Sequence, residues 1–208
     1  MVFKRAIMNI AAETAHTFRA MVISGPRQVG KTWLLNALTK ELGGYEAVCL
    51  DDESLASLAK NDPKLFLQLH PAPLYIDEVQ KAPEIFPEMK MLLDANPARG
   101  QYLMTGSQQF KMMKGAKESL AGRIGILRLF GLSRAEINGR ESTPFLPSLS
   151  PETWRGREGL DVISAYEAIV KGSYPECLAE PSINVGRYFK SDIETYIERD
   201  IREMVDIT

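Results

Sequence analysis

Cysteine and histidine are scarce, with two of each in 208 residues. Cys49 and Cys177 lie far apart, and neither has a His or Cys neighbour. That spacing excludes a disulfide framework and a local thiolate metal site. Both read as reduced packing residues of a cytoplasmic protein. His16 and His70 are isolated as well, so neither reads as a ligand or a base. An excess of one charge is also lacking: 25 Lys and Arg face 27 Asp and Glu, for a net charge of -2. That argues against a bulk electrostatic grip on nucleic acid, though not against a local basic patch. No apolar run approaches the roughly 20 residues of a membrane span. The chain has no internal repeat and no low-complexity segment. Lys4 and Arg5 precede an apolar patch as in a signal peptide, but Asn9, Glu13, Thr14 and His16 interrupt it. Ile7, Ala11, Ala15 and Phe18 fall instead at helical spacing and predict an amphipathic helix.

What is present is sharper. Gly25-Pro26-Arg27-Gln28-Val29-Gly30-Lys31-Thr32 satisfies the pattern G-x-x-x-x-G-K-[ST]. An apolar run, Ala20 to Ile23, precedes it and a helical run, Trp33 to Leu42, follows. Strand, glycine loop and helix is the context in which this pattern makes a phosphate site. The glycines let backbone N–H groups turn inward around phosphate oxygens, and the helix N-terminus adds partial positive charge. Lys31 then reaches the β- and γ-phosphates and the Thr32 hydroxyl ligates Mg²⁺. Gly25 through Thr32 and the adjoining Trp33 are the candidate nucleotide contacts.

Leu34, Leu35, Leu38 and Leu42 share a face of the helix after the loop, which Gly43-Gly44 stops. Strands are predicted over Tyr45–Leu50, Pro73–Ile76, Gln101–Met104 and Ile124–Phe130. Helical patches are predicted near Ser54–Lys60, after Pro63, and over Ile85–Ala95, the last with Ile85, Met89, Leu92 and Leu93 on one face. Alternating strands and helices imply an α/β fold with a parallel sheet covered on both faces. Right-handed crossovers put the strands' carboxyl ends, and so the site, on one edge. The proline-rich stretch 141–160 reads as a linker between a core over 1–140 and a helical segment over 161–208. Helices are expected there over Val162–Lys171 and from about Ile183 to Val205.

The apolar run ending at Asp77-Glu78 supplies the second half of the site. Asp77 matches the strand-end aspartate that holds Mg²⁺ in ATP-hydrolysing proteins of this kind. Glu78, one residue on, is placed to polarise a water for attack on the γ-phosphorus, a group that a small-molecule kinase does not need. An Asn-Lys-x-Asp motif, which would read guanine, is absent. Thr105 and Ser107 flank the turn after the next strand. If that strand lies between the other two, a hydroxyl there can sense the γ-phosphate. Arg123 is the foremost candidate for an arginine that neutralises transition-state charge, in cis or from a neighbour, with Arg27 the weaker one. Lys111, Lys114 and Lys117 recur at three-residue spacing and read as a solvated helix face before a nucleic-acid stripe.

These motifs resemble the AAA-type ATPases of bacteria and archaea. The resemblance is carried by the glycine loop, Tyr75-Ile76-Asp77-Glu78-Val79-Gln80, Lys81-Ala82-Pro83-Glu84 and Leu103-Met104-Thr105-Gly106-Ser107-Gln108. It continues through Ser119-Leu120-Ala121-Gly122-Arg123, Gly172-Ser173-Tyr174-Pro175-Glu176 and Tyr196-Ile197-Glu198-Arg199-Asp200-Ile201. It implies a three-layer core with a five-stranded parallel sheet in the order 5-1-4-3-2. It also implies an ATP–Mg²⁺ site of Lys31, Thr32, Asp77 and Glu78, a sensor at Thr105 or Ser107, and a functional Arg123. Members usually continue into a further C-terminal domain, so the chain is expected to be a shortened form ending before it. Phe189, Ile193, Tyr196, Ile197 and Val205 form an apolar helical stripe expected to pack on that domain, on the core, or on a second copy. Two functions remain open: an ATPase that times a conformational change, and an ATP-gated binding module that hydrolyses little. A nucleic-acid motor is the weaker third.

Overall fold

The computed structural model describes residues 3–106, 116, 118–140 and 161–205, with 196–205 described for the backbone alone. Lys4–Leu132 forms one compact unit, and the chain from Ser133 onward belongs to another. The stretch 141–160, Ser107, and Lys111, Lys114 and Lys117 lie outside the described residues.

In the first unit, α1 (Met8–Thr17) leads into β1 (Ala20–Ser24), and α2 (Lys31–Leu42) follows the glycine loop. Next come β2 (Glu46–Cys49), α3 (Glu53–Asn61), α4 (Pro63–Leu69) and β3 (Leu74–Asp77). Then α5 (Ile85–Ala95), β4 (Tyr102–Gly106) and β5 (Ile124–Arg128) complete the sheet. All strand pairs are parallel, in the order β2-β3-β4-β1-β5. That is the expected 5-1-4-3-2 read from the other edge, and it puts β4 between β1 and β3.

Buried residues cover both faces of the sheet. Along each strand, alternate side chains point to opposite faces. On one face Val22, Ile76, Tyr102 and Met104 pack with Ala56, Ala59, Phe66, Phe86 and Met89 from α3, α4 and α5. On the other, Met21, Ile23, Tyr75 and Leu103 pack with Ala11 and Ala15 of α1 and Leu34, Leu35 and Leu38 of α2. The buried face of α5 is Ile85, Phe86, Met89 and Leu93, whereas Leu92 is 42% exposed, so Phe86 takes the place expected of Leu92. Side-chain caps fix the short helices. Asp52 accepts from Ser54 N at 2.8 Å and Asp62 accepts from Leu65 N at 2.9 Å, with Pro63 filling the first turn of α4.

In the second unit, α6 (Arg134–Ile137) opens with a reciprocal cap between Ser133 and Glu136. It is followed by α7 (Val162–Lys171), α8 (Pro175–Ala179) and α9 (Val185–Val205). α9 starts at Val185 because the Asn184 side chain accepts from Arg187 N at 3.0 Å. Of the expected stripe on α9, Phe189 is covered by Tyr174 and Tyr188, at ring-centroid distances of 5.6 and 5.9 Å, while Ile193 is 55% exposed. The side chains of Tyr196, Ile197 and Val205 lie outside the described residues. Val162, Ile163, Tyr166, Ile169 and Val170 of α7 are all exposed, an apolar face that sequence reading missed. Cys177 is buried as expected of a packing residue; Cys49 is exposed and does not pack. His70 is not isolated either, since its Nδ1 lies 2.6 Å from Glu46 Oε1.

Candidate phosphate and metal site

Parallel strands bring their carboxyl ends to one edge, and three of those ends build the site. β1 runs into the glycine loop, β3 ends at Asp77, and β4 ends beside Thr105. The loop's shape follows from its glycines. Gly30 has φ 91° and caps α2 in the left-handed region, where a Cβ is strained. Gly25 is required for another reason: a Cβ there would stand 2.1 Å from the Leu129 carbonyl oxygen, just beyond β5. Gly25→Ala is therefore expected to destabilise the fold by about 3 kcal/mol through overpacking against rigid backbone. Chemical denaturation measures it, and a loss below about 1 kcal/mol would mean the chain after β5 yields freely.

Lys31 is 5% exposed and donates to the carbonyls of Gly25 at 3.1 Å and Pro26 at 2.7 Å. Burial lowers its pKa, the nearby Glu78 and Asp77 carboxylates oppose that shift, and Arg27 adds to it. Among the described residues, the ammonium's direct hydrogen-bond partners are thus these two main-chain carbonyls. Thr32, in the first turn of α2, donates to Asp77 at 2.9 Å. Thr105 donates to the same carboxylate, and its oxygen accepts from Glu78 N at 3.2 Å. One buried hydroxyl on β4 therefore ties down both acidic residues at the end of β3. Glu78 itself is in the left-handed region, with φ 57° and ψ 43°, an uncommon conformation for a residue with a Cβ. Its carboxylate accepts from Gln80.

Hard oxygen donors and few of them suit Mg²⁺, which takes one or two carboxylates and completes its shell with phosphate and water. Thr32 and Asp77 meet that description. Among the described residues no group of three or more His, Cys, Asp and Glu forms a protein cage. Among the described residues, the buried Tyr75 hydroxyl makes no hydrogen bond of ordinary geometry. Burial, and after it the Asp77 charge, push this phenol well above its ordinary pKa, so it stays protonated.

The structure brings together Gly25, Pro26, Gly30, Lys31, Thr32, Asp77, Glu78 and Thr105. Arg27 is half-buried near Lys31, Gln28 takes a positive φ of 56°, and Trp33 is largely exposed. Val29 is buried, and its carbonyl accepts from Arg5 Nη1 at 2.7 Å. Arg5 also donates to Phe130 O at 2.8 Å, so it clamps the loop to the chain leaving β5. No local signal marks that role in the sequence. Arg123 is not brought to the site within the chain. It immediately precedes β5, and its carbonyl accepts from Ala20 N at the start of β1, so it sits on the amino edge of the sheet. Its guanidinium is held by Asp94, with Nη2 to Oδ2 at 2.9 Å. Sequence reading left open whether Arg123 acts in cis or from a neighbour; within the chain, the length of β1 separates it from the glycine loop.

Residues 17–138 match the family model for an AAA domain. Uncharacterized proteins of Mycobacterium bovis and Mycobacterium tuberculosis are each 32% identical over 124 residues, a segment covering 59% of this chain and 27% of each of theirs. The chain thus spans about a quarter of the length of the curated relatives it matches. No helix among the described residues is long and apolar enough to cross a membrane. Glycine loop, parallel sheet and strand-end aspartate agree with the family match over more than half of the sequence: the chain belongs to the AAA domain family and has a nucleotide-binding, P-loop NTPase-like function.

Proposed function

We propose that this chain binds ATP with Mg²⁺ and hydrolyses it, and that the nucleotide state is passed to a partner or to a further domain. The observation that carries the reading is the meeting of α2 and β3 at Thr32 and Asp77, 2.9 Å apart, with Lys31 in the loop beside them. Lys31 binds the β- and γ-phosphates. Thr32 and Asp77 hold the metal, which neutralises phosphate charge when bound. Glu78, fixed through its own N–H by Thr105, orients the attacking water and accepts its proton.

The chain's own arginine favours a variant of this reading. Arg123 lies on the far edge of the sheet, so it serves phosphoryl transfer only from a second copy. An isolated chain then binds ATP and turns it over slowly. The experiment compares ATP, GTP and ADP binding with and without Mg²⁺, and follows phosphate release across a hundredfold range of protein concentration. Tighter binding of ATP with Mg²⁺ and specific activity that climbs with concentration are expected. Preference for GTP would overturn the choice of base. Constant specific activity would remove Arg123 from a role in trans.

A further inference from the structure

Tyr75 precedes Asp77 by two positions on β3, so the pleat puts both side chains on the face that α2 covers. The residue is 2% exposed and packs in the cluster with Leu34, Leu35 and Leu38. Those contacts need only the ring. The hydroxyl is buried and, among the described residues, makes no hydrogen bond of ordinary geometry, while the Asp77 carboxylate two positions on shares its face of the strand. A buried hydroxyl without a hydrogen bond carries a desolvation cost that a Phe at this position would not.

We propose that Tyr75 is a positioning residue for the divalent metal, whose O–H donates to the Asp77 carboxylate when the metal and nucleotide are bound. This rests on the reading of the site as a Mg²⁺–ATP site. The carboxylate has room for the donor. Two oxygens offer about four acceptor directions, and the hydroxyls of Thr32 and Thr105 already use part of them. A third hydroxyl narrows the orientations open to Asp77 and so favours the one that faces a cation. Second-shell groups of this kind tune metal affinity through the ligand they orient.

The test is Tyr75→Phe in the full chain, with three readouts. Thermal stability without ligand is expected to hold or rise, because the lost hydroxyl made no hydrogen bond of ordinary geometry among the described residues. ATP affinity in EDTA is expected to match the unsubstituted protein. The Mg²⁺ concentration that half-saturates the tightening of ATP binding is expected to rise about tenfold, the lower end for loss of an outer-shell partner. Equal Mg²⁺ dependence in both proteins would overturn the proposal while leaving the Mg²⁺–ATP reading intact. So would a loss of ATP affinity that is the same with and without Mg²⁺, since that marks a packing defect. An unsubstituted protein whose ATP binding ignores Mg²⁺ would overturn both.

Discussion

Lys31→Ala is expected to weaken ATP binding at least about a hundredfold, which corresponds to roughly 3 kcal/mol at tenfold per 1.4 kcal/mol. The size follows from what the ammonium does. It is nearly enclosed, and its direct partners are the carbonyls of Gly25 and Pro26. Hydrogen bonds between a charged donor and a phosphate oxygen contribute about 1.5–3 kcal/mol each, and a lysine that bridges two phosphates makes more than one. The protein without ligand should be much less affected. Burial already disfavours the charged form of Lys31, so removing it also removes a desolvated cation. Isothermal titration with ATP and Mg²⁺, read beside a thermal melt without nucleotide, separates the two. Binding within about fivefold of the unsubstituted protein would deny the loop its role as a phosphate cradle.

The candidate site was legible in the sequence where chemistry constrains neighbours along the chain. A phosphate cradle needs its glycines, lysine and hydroxyl within one loop and one helical turn, so Gly25 to Thr32 could be read directly. Asp77 and Glu78 were legible as the end of an apolar strand. The joining of these two halves was not, because the sheet order decides it. β4 sits between β1 and β3, and only that order brings Thr105 to Asp77 and Glu78. The motif resemblance supplied the order; residue spacing alone did not.

Arg123 shows the limit from the other side. Its local sequence gives a plausible charge-stabilising arginine, but position along a strand decides which edge of the sheet it reaches. It stands before β5, whereas the glycine loop stands after β1, and the two strands are parallel and in register from Ala20 and Ile124. A smaller difference lies on α5. Phe86 rather than Leu92 completes its buried face, although either residue spans the same arc with Ile85, Met89 and Leu93 at 3.6 residues per turn, so periodicity alone did not choose between them. Ser133-Arg134-Ala135-Glu136 carries a capping-box signature that marks α6, and Tyr75 lies two residues from Asp77 on the same face of its strand. Both signals were present in the sequence. Arg5 gave no such signal, since its partners are main-chain carbonyls 24 and 125 residues away.

Glu78→Gln is expected to leave ATP with Mg²⁺ bound within about threefold of the unsubstituted affinity and to cut turnover by about 10²–10⁴-fold, the usual contribution of a positioned general base. The exchange preserves size and a hydrogen-bond acceptor for Gln80, but an amide oxygen cannot take up the water's proton. The backbone that aims the side chain does not depend on the carboxylate. Its left-handed turn is fixed by the Glu78 N–H to Thr105 contact at 3.2 Å and by the short helical turn Val79–Lys81 that follows. The geometry should therefore persist in the variant, leaving a nucleotide-loaded protein that does not release phosphate. Single-turnover measurement with ATP bound in advance isolates the chemical step from binding and product release. A variant that still hydrolyses within about tenfold of the unsubstituted rate would take Glu78 out of the base role, because no comparable loss could then be assigned to proton transfer at this position.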